Sequence, residues 1–162
     1  MAGKLKVSTP SDREIAMTRS FDAPRHLVFD ALTKPELLRR WFDGPPGWSL
    51  VVCEVDLRVG GSYRYQWRGP EGDMGMGGVF REIVVPERIV STEKFDQSWY
   101  PGEAVGTVVL VEHQGQTTLT TTVRYDSQEI RDAVLKSPME QGVSYGYDKL
   151  EQLLTSTVAQ KA

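Results

Sequence analysis

The fold is decided by residues 137–158, which read SPMEQGVSYGYDKLEQLLTSTV. Ser137, Pro138 and Glu140 are typical of a helix start, with a hydroxyl cap, a proline in the first turn and a glutamate three residues after the cap. Apolar side chains then recur at steps of three and four, namely Met139, Val143, Tyr147, Leu150, Leu153 and Leu154. We therefore predict an amphipathic helix about 30 Å long, enough to lie across a whole sheet.

The chain before this helix predicts strands joined by short turns. Residues 13–21 alternate polar and apolar side chains, as a first strand with one wet face does. Six further strands follow between Ser49 and Tyr125, separated by turns rich in glycine, proline and aspartate. Strands with such short connections pair in antiparallel fashion, so we expect a curved, seven-stranded antiparallel sheet.

Two short helices are predicted between the first two strands. Pro24 suits the first turn of one helix, and Thr33-Lys34-Pro35-Glu36 resembles a capping box that begins the next. Their apolar stripes are Leu27, Val28, Ala31 and Leu32, then Leu37, Leu38, Trp41 and Phe42. The sequence thus predicts an α+β chain whose sheet buries its apolar face against the C-terminal helix.

Length and composition indicate one globular domain. The 162 residues include one cysteine, Cys53, which excludes an internal disulfide and is compatible with a reducing compartment. We expect a flexible segment over residues 1–12, a domain over 13–158 and a tail over 159–162. Neither a signal peptide nor a stretch approaching roughly 20 apolar residues is recognisable, so we expect a cytoplasmic protein without a membrane partner.

Charge and motif content exclude several classes of ligand. With a net charge of -3 and no tract of Lys and Arg, the chain is not expected to bind nucleic acid. His26 and His113 are far apart and do not form a metal-ligand pattern, so we expect no metal and no cofactor. Residues 142–146 read GVSYG, which matches the nucleophile elbow, but they lie inside the predicted helix rather than at a strand-to-helix turn.

The presumed inner face of the sheet carries residue types that suit an apolar ligand pocket. Large aromatic and flexible side chains alternate there with glycine, which removes volume. The candidate cavity residues are Trp41, Phe42, Tyr63, Tyr65, Trp67, Met76, Phe80, Glu93, Phe95, Met139, Val143 and Tyr147. The same residues are also compatible with a filled core in which glycines let backbones approach.

Three titratable residues are candidates for acid–base chemistry. Alternation from Phe80 places Glu82 inward unless a bulge intervenes, and Glu93 lies on the same face as Ile89. His113 lies at a strand end, on the face of Val105 and the residues that alternate with it. A carboxyl group in an apolar cavity would have a raised pKa and could act as an acid or a base. Pairing with arginine or exposure at a rim is the alternative for each of them.

Several ordered segments carry a family resemblance. They read TRSFDAP at 18–24, LVFDALTKPEL at 27–37, RWF at 40–42, GGSY at 60–63 and MEQGVS at 139–144. In this order the chain closely resembles the stand-alone domains similar to the C-terminal domain of the activator of Hsp90 ATPase, within the START/Bet v 1-like (SRPBCC) superfamily. The resemblance implies a helix-grip fold, in which a curved antiparallel sheet grips a long C-terminal helix around an apolar cavity.

The resemblance leaves three functions open, because this superfamily places lipid and hormone binders, polyketide cyclases and co-chaperone domains on one scaffold. The first is a binding protein for a small hydrophobic or aromatic molecule. The second is a cyclase or dehydratase that uses Glu82, Glu93 or His113. The third is an interaction module, although Hsp90 activation is not expected of a chain without room for the separate N-terminal domain of the eukaryotic co-chaperone. A homodimer is compatible with all three.

Overall fold

The computed structural model describes residues 3–96 and 100–161, except for the side chain of Lys161. Within these residues, eight strands and four helices follow one another. The strands are β1 (Lys6–Ser8), β2 (Glu14–Phe21), β3 (Ser49–Val55), β4 (Ser62–Gly69), β5 (Gly72–Val84), β6 (Arg88–Phe95), β7 (Ala104–His113) and β8 (Gln116–Arg124). The helices are α1 (Arg25–Thr33), α2 (Pro35–Trp41), α3 (Gln128–Leu135) and α4 (Met139–Lys161).

The eight strands form one antiparallel sheet in the order β1-β2-β8-β7-β6-β5-β4-β3. The run from β3 to β8 is a meander, because each strand pairs with the next one along the chain. β2 pairs with β8 and so joins the start of the sheet to its end. The predicted α+β helix-grip fold is confirmed, with α1 and α2 between β2 and β3 and with α4 as the long C-terminal helix.

The sheet has one strand more than the sequence predicts. β1 pairs with the middle of β2, and it lies inside residues 1–12, where we expected only a flexible segment. Val7 packs against buried residues of the core, while Lys6 and Ser8 are exposed. Three residues are too few to produce a recognisable alternation, so pairing with β2 rather than periodicity makes this segment a strand.

The helical region after β8 also differs from the expectation. α3 was not predicted, and the hydroxyl of Ser127 caps it by accepting a 3.2 Å hydrogen bond from the backbone N–H of Ile130. The predicted cap of the next helix is wrong, because the Ser137 hydroxyl instead donates a 2.6 Å hydrogen bond to the carbonyl oxygen of Val134. α4 begins at Met139 and continues to Lys161, so it includes residues 159–161 of the segment expected to be a tail.

Two groups of buried side chains lie between the inner face of the sheet and the helices. The larger one joins α1, α2 and α4 to the middle of the sheet, and its fully buried members include Phe21, Val28, Leu110, Leu119 and Leu150. The smaller one joins α3 and the start of α4 to one end of the sheet, around Ile15, Ala104, Val123, Tyr125 and Val134. None of the helices in the described residues is long and apolar enough to span a membrane.

Candidate functional site

Glu93 lies on the inner face of the sheet, near one end of β6. Ile89 has the same parity on this strand and packs into the core, and Ala104 is the residue paired with Glu93 on β7. Burial raises the pKa of the Glu93 carboxyl from its ordinary 4.5 to about 7. This carboxyl makes no hydrogen bond or ion pair with any other described residue. It therefore lacks the partners that buried charged groups normally have.

Solvent reaches the inner face around this carboxyl. Four side chains on the central strands are only half-buried although they face the helices, namely Ser91, Glu93, Val108 and Thr121. Further along β7 and β8, Leu110 and Leu119 have only 1% and 0% of their surface exposed. The inner face is therefore tightly packed at the Leu110 end and again around Ala104, which is 0% exposed, and solvent reaches the four half-buried side chains between these two places.

Three tyrosines lie close enough to Glu93 for its charge to act on them. Tyr63 comes from β4, Tyr100 precedes β7 and Tyr125 directly follows β8. Burial, and after it the negative charge of Glu93, raise the pKa of each hydroxyl, and together they bring that of Tyr100 to about 12. The rings of Tyr100 and Tyr125 meet edge to face with centroids 5.9 Å apart. All three hydroxyls are therefore protonated and neutral at physiological pH.

Most polar tips on the predicted cavity wall already have partners. The Tyr63 hydroxyl donates a 2.6 Å hydrogen bond to the carbonyl oxygen of Thr92. The indole N–H groups of Trp41 and Trp67 each donate a 2.8 Å hydrogen bond to a backbone carbonyl oxygen. The Tyr65 hydroxyl makes no hydrogen bond within the described residues, and its ring is half-buried. Tyr65 and Glu93 are thus the predicted cavity residues with polar groups left over for a ligand.

The other predicted cavity residues pack against one another. Neighbouring rings have centroids 5.1 to 5.5 Å apart, and Tyr147 adds a contact to Trp41 at 6.1 Å. The packed aromatic rings are those of Trp41, Phe42, Tyr63, Tyr65, Trp67, Phe80 and Tyr147. Met76 and Val143 pack at the edge of this cluster, Met139 packs on the smaller core group, and Phe95 is half-buried opposite Met76. Around α2 and β4, aromatic side chains fill the space themselves.

Glu82 does not face inward, because a β-bulge interrupts β5. The register with β6 shifts between Phe80, which pairs with Ser91, and Glu82, which pairs with Val90. The extra residue, Arg81, reverses the alternation, so Glu82 points to the outer face. There it accepts a 2.9 Å hydrogen bond from Nε of Arg88.

His113 is exposed on the outer face, far from Glu93. His113 and Val105 lie on the same face of β7, as predicted. Leu110 lies on the opposite face and is buried in the core, so the face of His113 and Val105 is the outer one. Glu93 pairs with Ala104, and His113 follows nine residues later on the same strand. At about 3.3 Å per residue the two side chains are separated by roughly 30 Å. Glu82, Glu93 and His113 therefore do not form one site.

Sequence reasoning missed three inward-facing residues. Arg19 is 4% exposed and donates hydrogen bonds of 2.7 Å to Asp148 and 3.1 Å to Glu151 on α4. Residues two apart on a strand share a face, so Arg19 points inward with Ile15, Met17 and Phe21. By the same rule Tyr125 points inward with Leu119 and Val123. Tyr100 lies outside any strand, so no periodicity in the sequence indicates that it approaches Glu93.

Two surface concavities lie away from Glu93. One of about 620 Å³ lies at the α3–α4 junction and is lined by polar residues such as Glu140, Ser144 and Asp148. The other, of about 270 Å³, lies between α1, α2 and α4, around Leu27, Leu37 and Leu153. Within residues 3–96 and 100–161, no three His, Cys, Asp or Glu side chains form a group that could hold a metal ion.

Comparisons with known proteins agree with this architecture. The family model described as "Activator of Hsp90 ATPase homolog 1-like protein" matches residues 22–155. A crystal structure from Rhodobacter sphaeroides is 30% identical, has a TM-score of 0.89 and aligns over 95% of this chain and 99% of its own. One from Nitrosomonas europaea is 26% identical, with a TM-score of 0.80 over 93% of this chain and 99% of its own. A crystal structure from Mycobacterium smegmatis shares the fold. It is 23% identical, with a TM-score of 0.82 over 97% of this chain and 99% of its own. No curated protein matches the sequence.

Proposed function

We propose that this chain, which belongs to the Activator of Hsp90 ATPase homolog 1-like family, binds a small hydrophobic or aromatic molecule between the sheet and α4. Its fold is in general a ligand-binding one. The observation that carries the proposal is the position of Glu93, whose carboxyl has no partner among the described residues and lies on a part of the inner face that solvent reaches. Tyr65 supports it as a second such group.

An unpaired carboxyl group inside a domain has a cost in stability. Buried polar groups are normally hydrogen-bonded, and an ionised carboxylate without a partner is destabilising by several kcal/mol at the least. Apolar ligand sites, by contrast, combine hydrophobic walls with a few placed polar groups that orient the ligand. Glu93 is easier to understand as such a group than as a component of the core.

The energetics favour a ligand with both an apolar body and a polar group. Burying about 300 Å² of apolar ligand surface contributes roughly 7 kcal/mol. Association costs at least about 4 kcal/mol in lost translation and rotation, so apolar burial alone gives weak binding. Hydrogen bonds to Glu93 and Tyr65 would supply the remaining affinity and would fix the orientation of the ligand.

The experiment uses Gly106 of β7, which lies beside Glu93 of the neighbouring strand β6. A Cβ added at Gly106 would lie 3.9 Å from a carboxylate oxygen of Glu93, which is an ordinary contact distance. The branched side chain of Gly106→Val would extend into the space beside the carboxyl. Thr107→Val, one residue along on the outer face, is the matched control.

Binding is measured by displacement of a fluorescent apolar probe and by thermal shift, with a panel of hydrophobic and aromatic molecules. We expect at least one molecule to bind the wild type, with affinity reduced about tenfold or more by Gly106→Val and unchanged by Thr107→Val. A panel that neither shifts the melting temperature nor displaces the probe would contradict the proposal. Equal affinities of the Gly106→Val variant and the wild type would contradict the location.

A catalytic function is the second candidate, and the same carboxyl favours it. A group with a pKa of about 7 can exchange a proton near neutral pH, and the charge of Glu93 acts on three tyrosine hydroxyls. This version of the cyclase or dehydratase hypothesis uses Glu93 without Glu82 or His113. Mass spectrometry of a bound molecule after incubation separates the two functions, because a binding protein returns the molecule unchanged.

A further inference from the structure

The buried positive charges of the described residues are engaged away from Glu93. Arg19 faces inward but pairs with Asp148 and Glu151. Arg19 pairs with Leu119 of β8, whereas Tyr125, on which the charge of Glu93 acts, comes six residues after Leu119. At the usual rise per residue, Leu119 and Tyr125 are roughly 20 Å apart. The interior therefore offers Glu93 no neutralising charge from this arginine.

The second buried arginine, Arg131 of α3, is engaged in the same way. It donates a 2.8 Å hydrogen bond to its neighbour Asp132 and bonds of 2.6 and 3.2 Å to the carbonyl oxygens of Ser11 and Glu14. The pKa of Glu93 is shifted by burial without an opposing effect of any positive side chain. No positive side chain among the described residues neutralises this carboxylate, and a ligand could supply that charge.

The groups around Glu93 can accept hydrogen bonds from such a charge. Tyr63, Tyr100 and Tyr125 keep neutral hydroxyls there, and a phenolic oxygen is an acceptor as well as a donor. The faces of tyrosine rings also attract cations within about 6 Å. A carboxylate whose charge acts on three tyrosines, with both buried arginines engaged elsewhere, is complementary to a cation and repels an anion.

We propose that the ligand of this site carries a protonated amine on its apolar body and that the ammonium group binds beside Glu93. The inference rests on the proposed binding function and specifies its ligand class. The ammonium N–H groups donate to the Glu93 carboxylate and to tyrosine hydroxyl oxygens, while the apolar body lies along the inner face toward Val108. A carboxylate-bearing analogue of the same shape would face repulsion from Glu93.

The test uses three probes of one shape, phenylbutylamine, phenylbutanol and phenylbutyrate, at about pH 8, where the amine and most of Glu93 are ionised. Calorimetry gives the affinity of each probe for the wild type and for Glu93→Gln, which keeps the shape of the side chain and removes its charge. Glu82→Gln, a change of the same kind on the outer face, is the matched control.

We expect the wild type and Glu82→Gln to bind the amine about tenfold or more tightly than the alcohol, and the carboxylate most weakly. In Glu93→Gln the amine should lose this advantage while the alcohol binds as before. Equal affinities for amine and alcohol in the wild type, or an advantage retained in Glu93→Gln, overturn the inference and leave the binding function standing. Binding of none of the three to the wild type counts against the binding function itself. Since the wild-type comparison is decisive alone, a poorly folded variant does not prevent the test.

Discussion

The hydroxyl of Tyr63 donates a 2.6 Å hydrogen bond to the carbonyl oxygen of Thr92, and the ring reaches across Gly78 to do so. A Cβ built on Gly78 would lie 1.9 Å from that carbonyl oxygen and 2.9 Å from the Tyr63 ring. The glycine is therefore required by the close approach of β4, β5 and β6 beside the candidate site.

Gly78→Ala should lower the free energy of unfolding by about 2 kcal/mol or more, because backbone atoms must shift to admit the methyl group. Urea denaturation measures the change. The control is Gly106→Ala, whose added carbon meets nothing closer than 3.9 Å and should be neutral or slightly stabilising. Equal stability of Gly78→Ala and the wild type would show that the strands separate without cost.

Glu93 should make the wild type less stable as pH rises. Its pKa is 4.5 in ordinary surroundings and about 7 in the folded state, so between these values the folded state binds more protons than the unfolded state. This contribution to stability is complete below about pH 4.5, falls through the window and is lost above about pH 7, a total change of roughly 3 kcal/mol.

The measurement compares urea denaturation of the wild type and Glu93→Gln at several pH values, so that the effects of all other groups cancel. The stability of Glu93→Gln relative to the wild type should increase between about pH 5 and pH 8. Glu82→Gln, the same substitution at a side chain that is 46% exposed on the outer face, is the matched control. A difference between Glu93→Gln and the wild type that does not depend on pH would mean that the carboxyl is well solvated.

Arg19 links the sheet to α4 and should be sensitive to truncation. Arg19→Ala leaves a cavity and removes the partner of Asp148 and Glu151, so we expect a loss of about 3 kcal/mol in urea denaturation. Arg19→Met should lose much less, since Met fills the space and removes a buried Nε that has no partner among the described residues. Similar losses for both variants would indicate that the ion pairs, rather than packing, carry the contribution of Arg19.

The control for Arg19 is Arg81→Met on the outer face. Arg81 lies 3.8 Å from Glu103, and both side chains are about half exposed. Exposed pairs of this kind contribute about 0 to 1 kcal/mol. A loss from Arg81→Met as large as that from Arg19→Ala would contradict the distinction between buried and exposed pairs.

Ser127 should stabilise α3 through its cap. Ser127→Ala removes the acceptor for the Ile130 backbone N–H, and we expect a loss of about 1 kcal/mol in thermal or urea unfolding. Ser156→Ala, at an exposed position inside α4, is the control and should be neutral. A loss in Ser156→Ala equal to that in Ser127→Ala would contradict a specific capping effect.

Periodicity predicts most of the fold and part of the candidate site. The apolar stripe from Met139 to Leu154 identifies α4, although its predicted cap is wrong. Regular alternation along β6 correctly places Glu93 on the face of Ile89. These succeed because the elements are long and continuous, so each residue's direction follows from its neighbours. The aromatic cluster follows from the same rule applied to Tyr63, Tyr65 and Trp67.

The remaining features depend on contacts distant in sequence or on irregular backbone. β1 has three residues and is a strand because β2 provides a partner. Tyr100 approaches Glu93 from a segment without periodicity. Arg19 alternates with core residues of β2, but a charged side chain is normally expected at the surface. Its burial is explained by its ion pairs with Asp148 and Glu151 of α4. The pattern of one strand predicts which way a side chain points, but not which distant residues surround it.

The bulge at Arg81 has a consequence for comparing this chain with its relatives. Arg81 is the unpaired residue, and Glu82 and Ile83 already pair with Val90 and Ile89, so deleting its codon would remove the bulge and leave both side chains on their present faces. A relative that lacks this residue would therefore keep the same interior, with Ile83 on the core and no second carboxylate next to β6. An alignment that places no gap here would instead match inward residues with outward ones along the rest of β5, so the length of β5 matters as much as its letters for inheriting a ligand preference.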